Sequence, residues 1–149
     1  MNETILVSAC LLGLNTRYNA EPRSHPAVAR YLETHQLVPI PVCPEQLAGL
    51  PTPRPSAAFT CGDGDTLLDG VGSVADVTGT VLSEAFTCGA QQTLDIARMT
   101  GCELALLKER SPSCGCNQIY RNGTLVPGRG VTSALLQRHA ISVFSEEEL

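Results

Sequence analysis

Three of the seven cysteines, Cys10, Cys43 and Cys114, share a placement that no local motif describes. Each comes shortly after a run of aliphatic residues: Thr4-Ile5-Leu6-Val7, Leu37-Val38-Pro39-Ile40-Pro41-Val42 and Glu103-Leu104-Ala105-Leu106-Leu107. Such runs read as strands, and in an open parallel sheet the C-terminal strand ends face one crevice. Three thiols distant in sequence are thereby expected to meet, as ligands or as a nucleophile and its partners. One buried cysteine is ordinarily a small hydrophobe. Three set in turn residues (Leu11-Leu12-Gly13, Pro44-Glu45, Ser111-Pro112-Ser113) point instead to chemistry. Cys116, two residues beyond Cys114, is the alternative third member. Cys88 falls in a helical pattern, Cys102 just after it, and Cys61 at the start of an acidic loop, where packing or exposure accounts for them.

Thiol chemistry narrows the ligand. Structural zinc takes four protein ligands, often from cysteine pairs with two to four residues between them, and no pair of that spacing occurs here. Thiolates also hold iron–sulfur clusters. Three cysteines on a cubane leave one iron without a protein ligand, an arrangement for catalysis rather than electron transfer. A rival reading starts from Val7 to Arg17, which resembles the phosphate cradle of low-molecular-weight tyrosine phosphatases and arsenate reductases. Six residues separate Cys10 from Arg17, one more than that cradle uses, and the misfit ranks a cysteine-dependent phosphatase or arsenate reductase-like enzyme low. Arg17, Arg54, Lys108 and Arg110 border the expected crevice and are candidates to hold an anionic or polar substrate. Asp63, Asp65 and Asp69 lack the spacing of a calcium loop and read as a solvated turn, and Glu146-Glu147-Glu148 reads as a solvated tail. His25, His35 and His139 share no spacing and are expected at the surface.

The elements that must position these residues follow from pattern. The chain has 149 residues, is 43% hydrophobic and lacks Trp, enough for one core built from aliphatic side chains. Helical patterns run from Pro26 to His35, with Ser24 and Pro26 as start signals, through Phe86, Ala90, Thr93, Leu94 and Ala97 to a cap at Gly101, and from Gly130 to His139. Strands alternate with these helices, Ile141-Ser142-Val143-Phe144 being the fourth. Residues 1–149 thus read as a single layered α/β domain, a mostly parallel sheet with flanking helices and the site at the C-terminal ends of the strands. The prolines of the second strand place it near an edge or leave it irregular. Cys61 to Gly79 reads as an excursion of turns, and Asn117 to Val126, centred on Asn122-Gly123, as a β-hairpin. The formal charge of −5 argues against nucleic acid as a partner. No leader or membrane-spanning run is expected, which implies a cytoplasmic protein and no membrane partner. That compartment and the odd cysteine count argue against disulfides.

Taken together, VSACLLG at 7–13, PVCPEQLAGLPTPRP at 41–55, DVTG at 76–79, LLKERSPSCG at 106–115, GVTSALL at 130–136 and VFSEEEL at 143–149 resemble the thiouracil desulfidase family. The resemblance implies a [4Fe-4S] cluster held by Cys10, Cys43 and Cys114 in a non-redox enzyme that removes sulfur from 2-thiouracil or a related thiolated nucleobase, giving uracil and sulfide. It implies an acidic catalytic residue at Glu45 and a catalytic serine at Ser111, with Ser113 as the other candidate. Glu45 would activate water while iron polarises the C=S bond. The alternative, a sulfur or iron–sulfur carrier without turnover, needs no such base. The chain departs from the family pattern at Thr16-Arg17-Tyr18-Asn19 and Ser56-Ala57-Ala58, both on loops, which leaves the choice of thiolated base open.

Overall fold

The computed structural model describes residues 3–21 and 25–149. Its centre is a four-stranded, all-parallel sheet of β1 (Glu3–Ser8), β2 (Leu37–Val42), β5 (Leu104–Leu107) and β8 (Ser142–Ser145), in the order β2-β1-β5-β8. Parallel strands need crossovers that cover both faces, so their sequences read as continuous apolar runs. The period of two still divides the faces. Ile5, Val7 and Leu106 pack with Val28 and Leu32 of α1 (Pro26–Thr34). Leu6, Ala105 and Leu107 pack with Leu94 and Ala97 of α4 (Ser83–Thr100) and Leu136 of α5 (Val131–Arg138). Strand β2, with its two prolines, lies at the edge as expected. Pro26 opens α1, while the expected start signal Ser24 lies outside the described residues. Gly101 ends α4 with φ of 69°, a left-handed cap that glycine adopts without a Cβ penalty.

The segment expected as turns carries a second sheet instead. Strand β3 (Ala57–Cys61) pairs antiparallel with β4 (Ser73–Asp76), and a short helix α3 (Gly64–Leu68) joins them. Asp63 caps α3 through a reciprocal pair with Thr66. Asp65 pairs with Arg129 and Arg138, and Asp69 with Arg138, so these acids anchor α3 to α5 rather than lining a solvated turn. The expected hairpin forms as β6 (Gln118–Arg121) and β7 (Thr124–Pro127), giving the order β4-β3-β6-β7. Phe59, Val74 and Ile119 from this sheet pack against Phe86 and Ala90 of α4.

In the first sheet β1 connects to β2 on one side, and the chain then returns to lay β5 on the other. The topological switch therefore falls between β1 and β5, where open α/β sheets bind ligands beyond their strand ends. Among the described residues no helix is long and apolar enough to cross a membrane.

Candidate active site

Each of the four parallel strands hands its next residues to one cavity of about 640 Å³, within the size range of small-molecule sites. Beyond β1 a turn of 3₁₀ helix holds Cys10. Beyond β2, Cys43 precedes the single helical turn α2 (Pro44–Leu47). Beyond β5, the loop 108–116 carries Ser111, Ser113 and Cys114, and beyond β8 comes Glu146. Cys10, Cys43 and Cys114 all line the cavity. Cys116 does not. It packs in the core beneath, its thiol donating to the Cys114 carbonyl at 3.5 Å and accepting from Ser133 Oγ at 3.8 Å.

The three cavity thiols are close enough for each ionised neighbour to disfavour the next. Burial first, then the Cys43 charge among others, pushes the Cys10 thiol up to about 11, against the opposing charges of Lys108 and Arg17. Burial likewise pushes Cys114 up to about 12, against hydrogen bonds from Ser8 and Ser113. Free thiols so shifted stay protonated near neutrality and need a positive centre to ionise. Among the described residues no three His, Cys, Asp or Glu side chains converge as ligands of a single ion. Three thiols lining one cavity are a donor set that fits a cubane, whose thiolates bind separate irons.

Glu45 lies two residues past Cys43, in the first turn of α2. Arg54 Nε donates to its Oε1 at 3.2 Å and Ser113 Oγ to its Oε2 at 3.3 Å. Ser113 Oγ is also 3.0 Å from Ser111 Oγ, while Ser111 Oγ accepts the Ser113 and Cys114 amides at 3.2 and 3.1 Å. The two candidate serines thus form one hydroxyl chain, with Ser113 in contact with Glu45 and Ser111 next in line. The structure also corrects the role expected of three cations. Arg54 spends its guanidinium on Glu45, on Thr52 and on the carbonyls of Pro51 and Thr16. Lys108 pairs with Glu146 at 3.1 Å, and Arg110 pairs with Glu147. Arg17 lines the cavity with its guanidinium 5.6 Å from the Tyr18 ring centroid. His25 also lines the cavity rather than lying simply at the surface, whereas His35 and His139 are exposed.

Several supports were invisible in the sequence. Glu109, 3% exposed, folds the site loop around its own carboxylate: Oε1 accepts the amides of Arg110, Cys116, Asn117 and Gln118, and Oε2 accepts the Asn117 side chain. From outside, the otherwise unpaired N–H groups that open α5 donate to the loop: Gly130 to Gly115 O, Val131 to Pro112 O and Thr132 to Ser113 O, at 2.8 to 3.0 Å. Glu146–Glu148 is no solvated tail. It forms a turn of 3₁₀ helix capped by Ser145, and Glu146 accepts the Glu109 amide at 2.7 Å. Two glycines permit the close approaches. A Cβ on Gly89 of α4 would lie 2.1 Å from Pro44 O, and one on Gly130 would lie 2.5 Å from the Ser113 carbonyl.

A sequence model of the family described as 2-thiouracil desulfurase matches residues 5–148. An uncharacterized protein of Bacillus subtilis (strain 168), YbbK, is 38% identical over 149 residues, covering 97% of each chain. The solved structure of the [4Fe-4S]-dependent thiouracil desulfidase TudS superposes with a TM-score of 0.81 at 39% identity, covering 99% of this chain and 93% of that one.

Proposed function

From the premise that this chain belongs to the 2-thiouracil desulfurase family, we propose that Cys10, Cys43 and Cys114 hold a [4Fe-4S] cluster beside a Glu45–Ser113–Ser111 acid–hydroxyl chain. The protein is an iron–sulfur-dependent desulfidase that removes sulfur from thiouracil. The observation that carries the residue assignment is the convergence of three thiols and that polar chain on one cavity.

When bound, the cluster supplies a Lewis-acidic iron that polarises the thiocarbonyl. Glu45 receives the proton of the attacking water, and Arg54 on its Oε1 leaves Oε2 directed toward Ser113 and the cavity. Ser113 and Ser111 pass a proton between that carboxylate and the departing group or the ring. Their positions are fixed by the Glu109 carboxylate on one side of the loop and the start of α5 on the other, so little rearrangement is needed during reaction. The cavity accommodates a flat thiolated pyrimidine. The formal charge of −5 disfavours a polyanion such as nucleic acid as partner and leaves a small thiolated base as the substrate.

The test is anaerobic reconstitution with iron and sulfide, followed by excess 2-thiouracil and a count of sulfide and uracil per cluster. Many equivalents of both are expected. Release that stops at one equivalent would instead assign a carrier, and none at all would refute the substrate.

A further inference from the structure

Lys108 lines the cavity with its ammonium set against one carboxylate and one main-chain carbonyl. Its ammonium lies 3.1 Å from Glu146 Oε2 and donates to the Glu109 carbonyl at 3.0 Å, with 17% of the Lys108 side chain and 4% of the Glu146 side chain exposed. Removing an ion pair from water costs both partners their hydration, and their mutual attraction repays this only in part. This pair sets two opposed charges in the lining of the thiol-lined cavity.

The backbone makes the same connection. The Lys108 amide donates to Ser8 Oγ at 2.9 Å, which ties it to the last residue of β1, two residues before Cys10. Lys108 thus follows β5 directly, tied to β1 on one side and, through Glu146, to the end of β8 on the other. Lys108 and Glu146 both line the cavity with Cys10, Cys43 and Cys114. A [4Fe-4S] cluster carried by three thiolates is a net anion, and its properties follow local charge, hydrogen bonding and exposure.

We infer that Lys108 is the counter-charge of the cluster and that Glu146 positions it, so that the two act as an opposed pair setting the electron density at the iron. The inference rests on the cluster reading above. Lys108 attracts charge away from the cluster and Glu146 tempers it, so removing each partner should have opposite consequences.

The test compares reconstituted wild type with Lys108→Met, Lys108→Arg and Glu146→Gln by redox titration of the cluster followed by electron paramagnetic resonance. The potential serves only as a gauge of local charge, since the reaction itself is not redox. Lys108→Met should shift the potential to more negative values, Glu146→Gln to more positive values, and Lys108→Arg should leave it near wild type. Iron should be lost to a chelator several-fold faster in Lys108→Met and not in Lys108→Arg. Shifts of one sign in Lys108→Met and Glu146→Gln, or none in either, would overturn the inference, because general loosening of the fold predicts no opposition. If Lys108→Met takes up no cluster, Glu146→Gln decides, and a potential that does not rise overturns it. A wild-type chain that takes up no cluster would overturn the proposed function and this inference with it, whereas same-sign shifts in a chain that loads would overturn this inference alone.

Discussion

Replacing Glu109 with Gln should destabilise the chain by about 3 kcal/mol near neutral pH and by little in strong acid. Burial alone would push this carboxyl up, but the amides of Asn117, Gln118 and Arg110 and the Asn117 side chain outweigh it and bring it from 4.5 to about 2. A carboxyl that titrates lower when folded stabilises the fold fully above the unfolded value, and that stabilisation is lost as pH falls toward the folded one. With 4.5 and about 2 as the two ends, the full contribution is about 3 kcal/mol, of which about 2 kcal/mol is gone by pH 3. The substitution Glu109→Gln keeps one acceptor but turns an amide NH₂ toward the Asn117 NH₂, donor against donor. Urea unfolding of wild type and Glu109→Gln without cluster, across about pH 3 to 8, measures the gap directly, since a domain of this length needs no staple to fold. A gap under about 1 kcal/mol at pH 7, or one unchanged at pH 3, would refute the assignment of Glu109 as the charged centre of the site loop.

Cys10→Ala, Cys43→Ala and Cys114→Ala should each abolish cluster loading, while Cys61, Cys88 and Cys102 variants retain it by iron and sulfide analysis. Cys116→Ala should load a cluster but unfold more easily, as a core truncation does, and loss of the cluster in this variant alone would reassign the third ligand. Glu45→Gln should load a normal cluster, bind thiouracil and release sulfide at least about 100-fold more slowly; wild-type turnover would remove Glu45 from the mechanism. Gly89→Ala sets a Cβ 2.1 Å from Pro44 O and should cost about 1–3 kcal/mol with reduced cluster occupancy, read by thermal melting and iron content; an unchanged melt and full loading would show that the α2–α4 approach does not fix Cys43.

The central sheet and its thiols were legible because β1 and β5 are covered on both faces, which writes each as an apolar run and marks its end by the first turn residues, while β2 at the edge still reads as a run of aliphatic residues and prolines. The β3–β4 half of the second sheet was hidden because β4 spans only Ser73–Asp76 with Val74 its sole buried residue, too short for any period to register. Glu109 was illegible for a different reason. Its partners are mostly backbone amides up to nine residues ahead, and backbone donors leave no trace in side-chain patterns. The acids at 146–148 looked like a solvated run because their roles depend on β8 ending beside β5, which is a property of strand order. Ser113 could be told from Ser111 as the neighbour of Glu45 only once the loop's curvature was known.

The hydrogen bond from Glu109 N to Glu146, 37 residues apart, has a consequence for biosynthesis. Translation delivers β1 and β2 early, and these can pair while the rest is still being made. Cys10 and Cys43 then wait through some seventy residues for Cys114, and the loop bearing Cys114 gains its last clamp only when Glu146 has followed. A nascent chain therefore presents two unpartnered thiols and no finished pocket for most of its synthesis, which makes premature metal capture a hazard and late loading the safer route. The cavity in its finished form therefore exists only once residue 146 has been made.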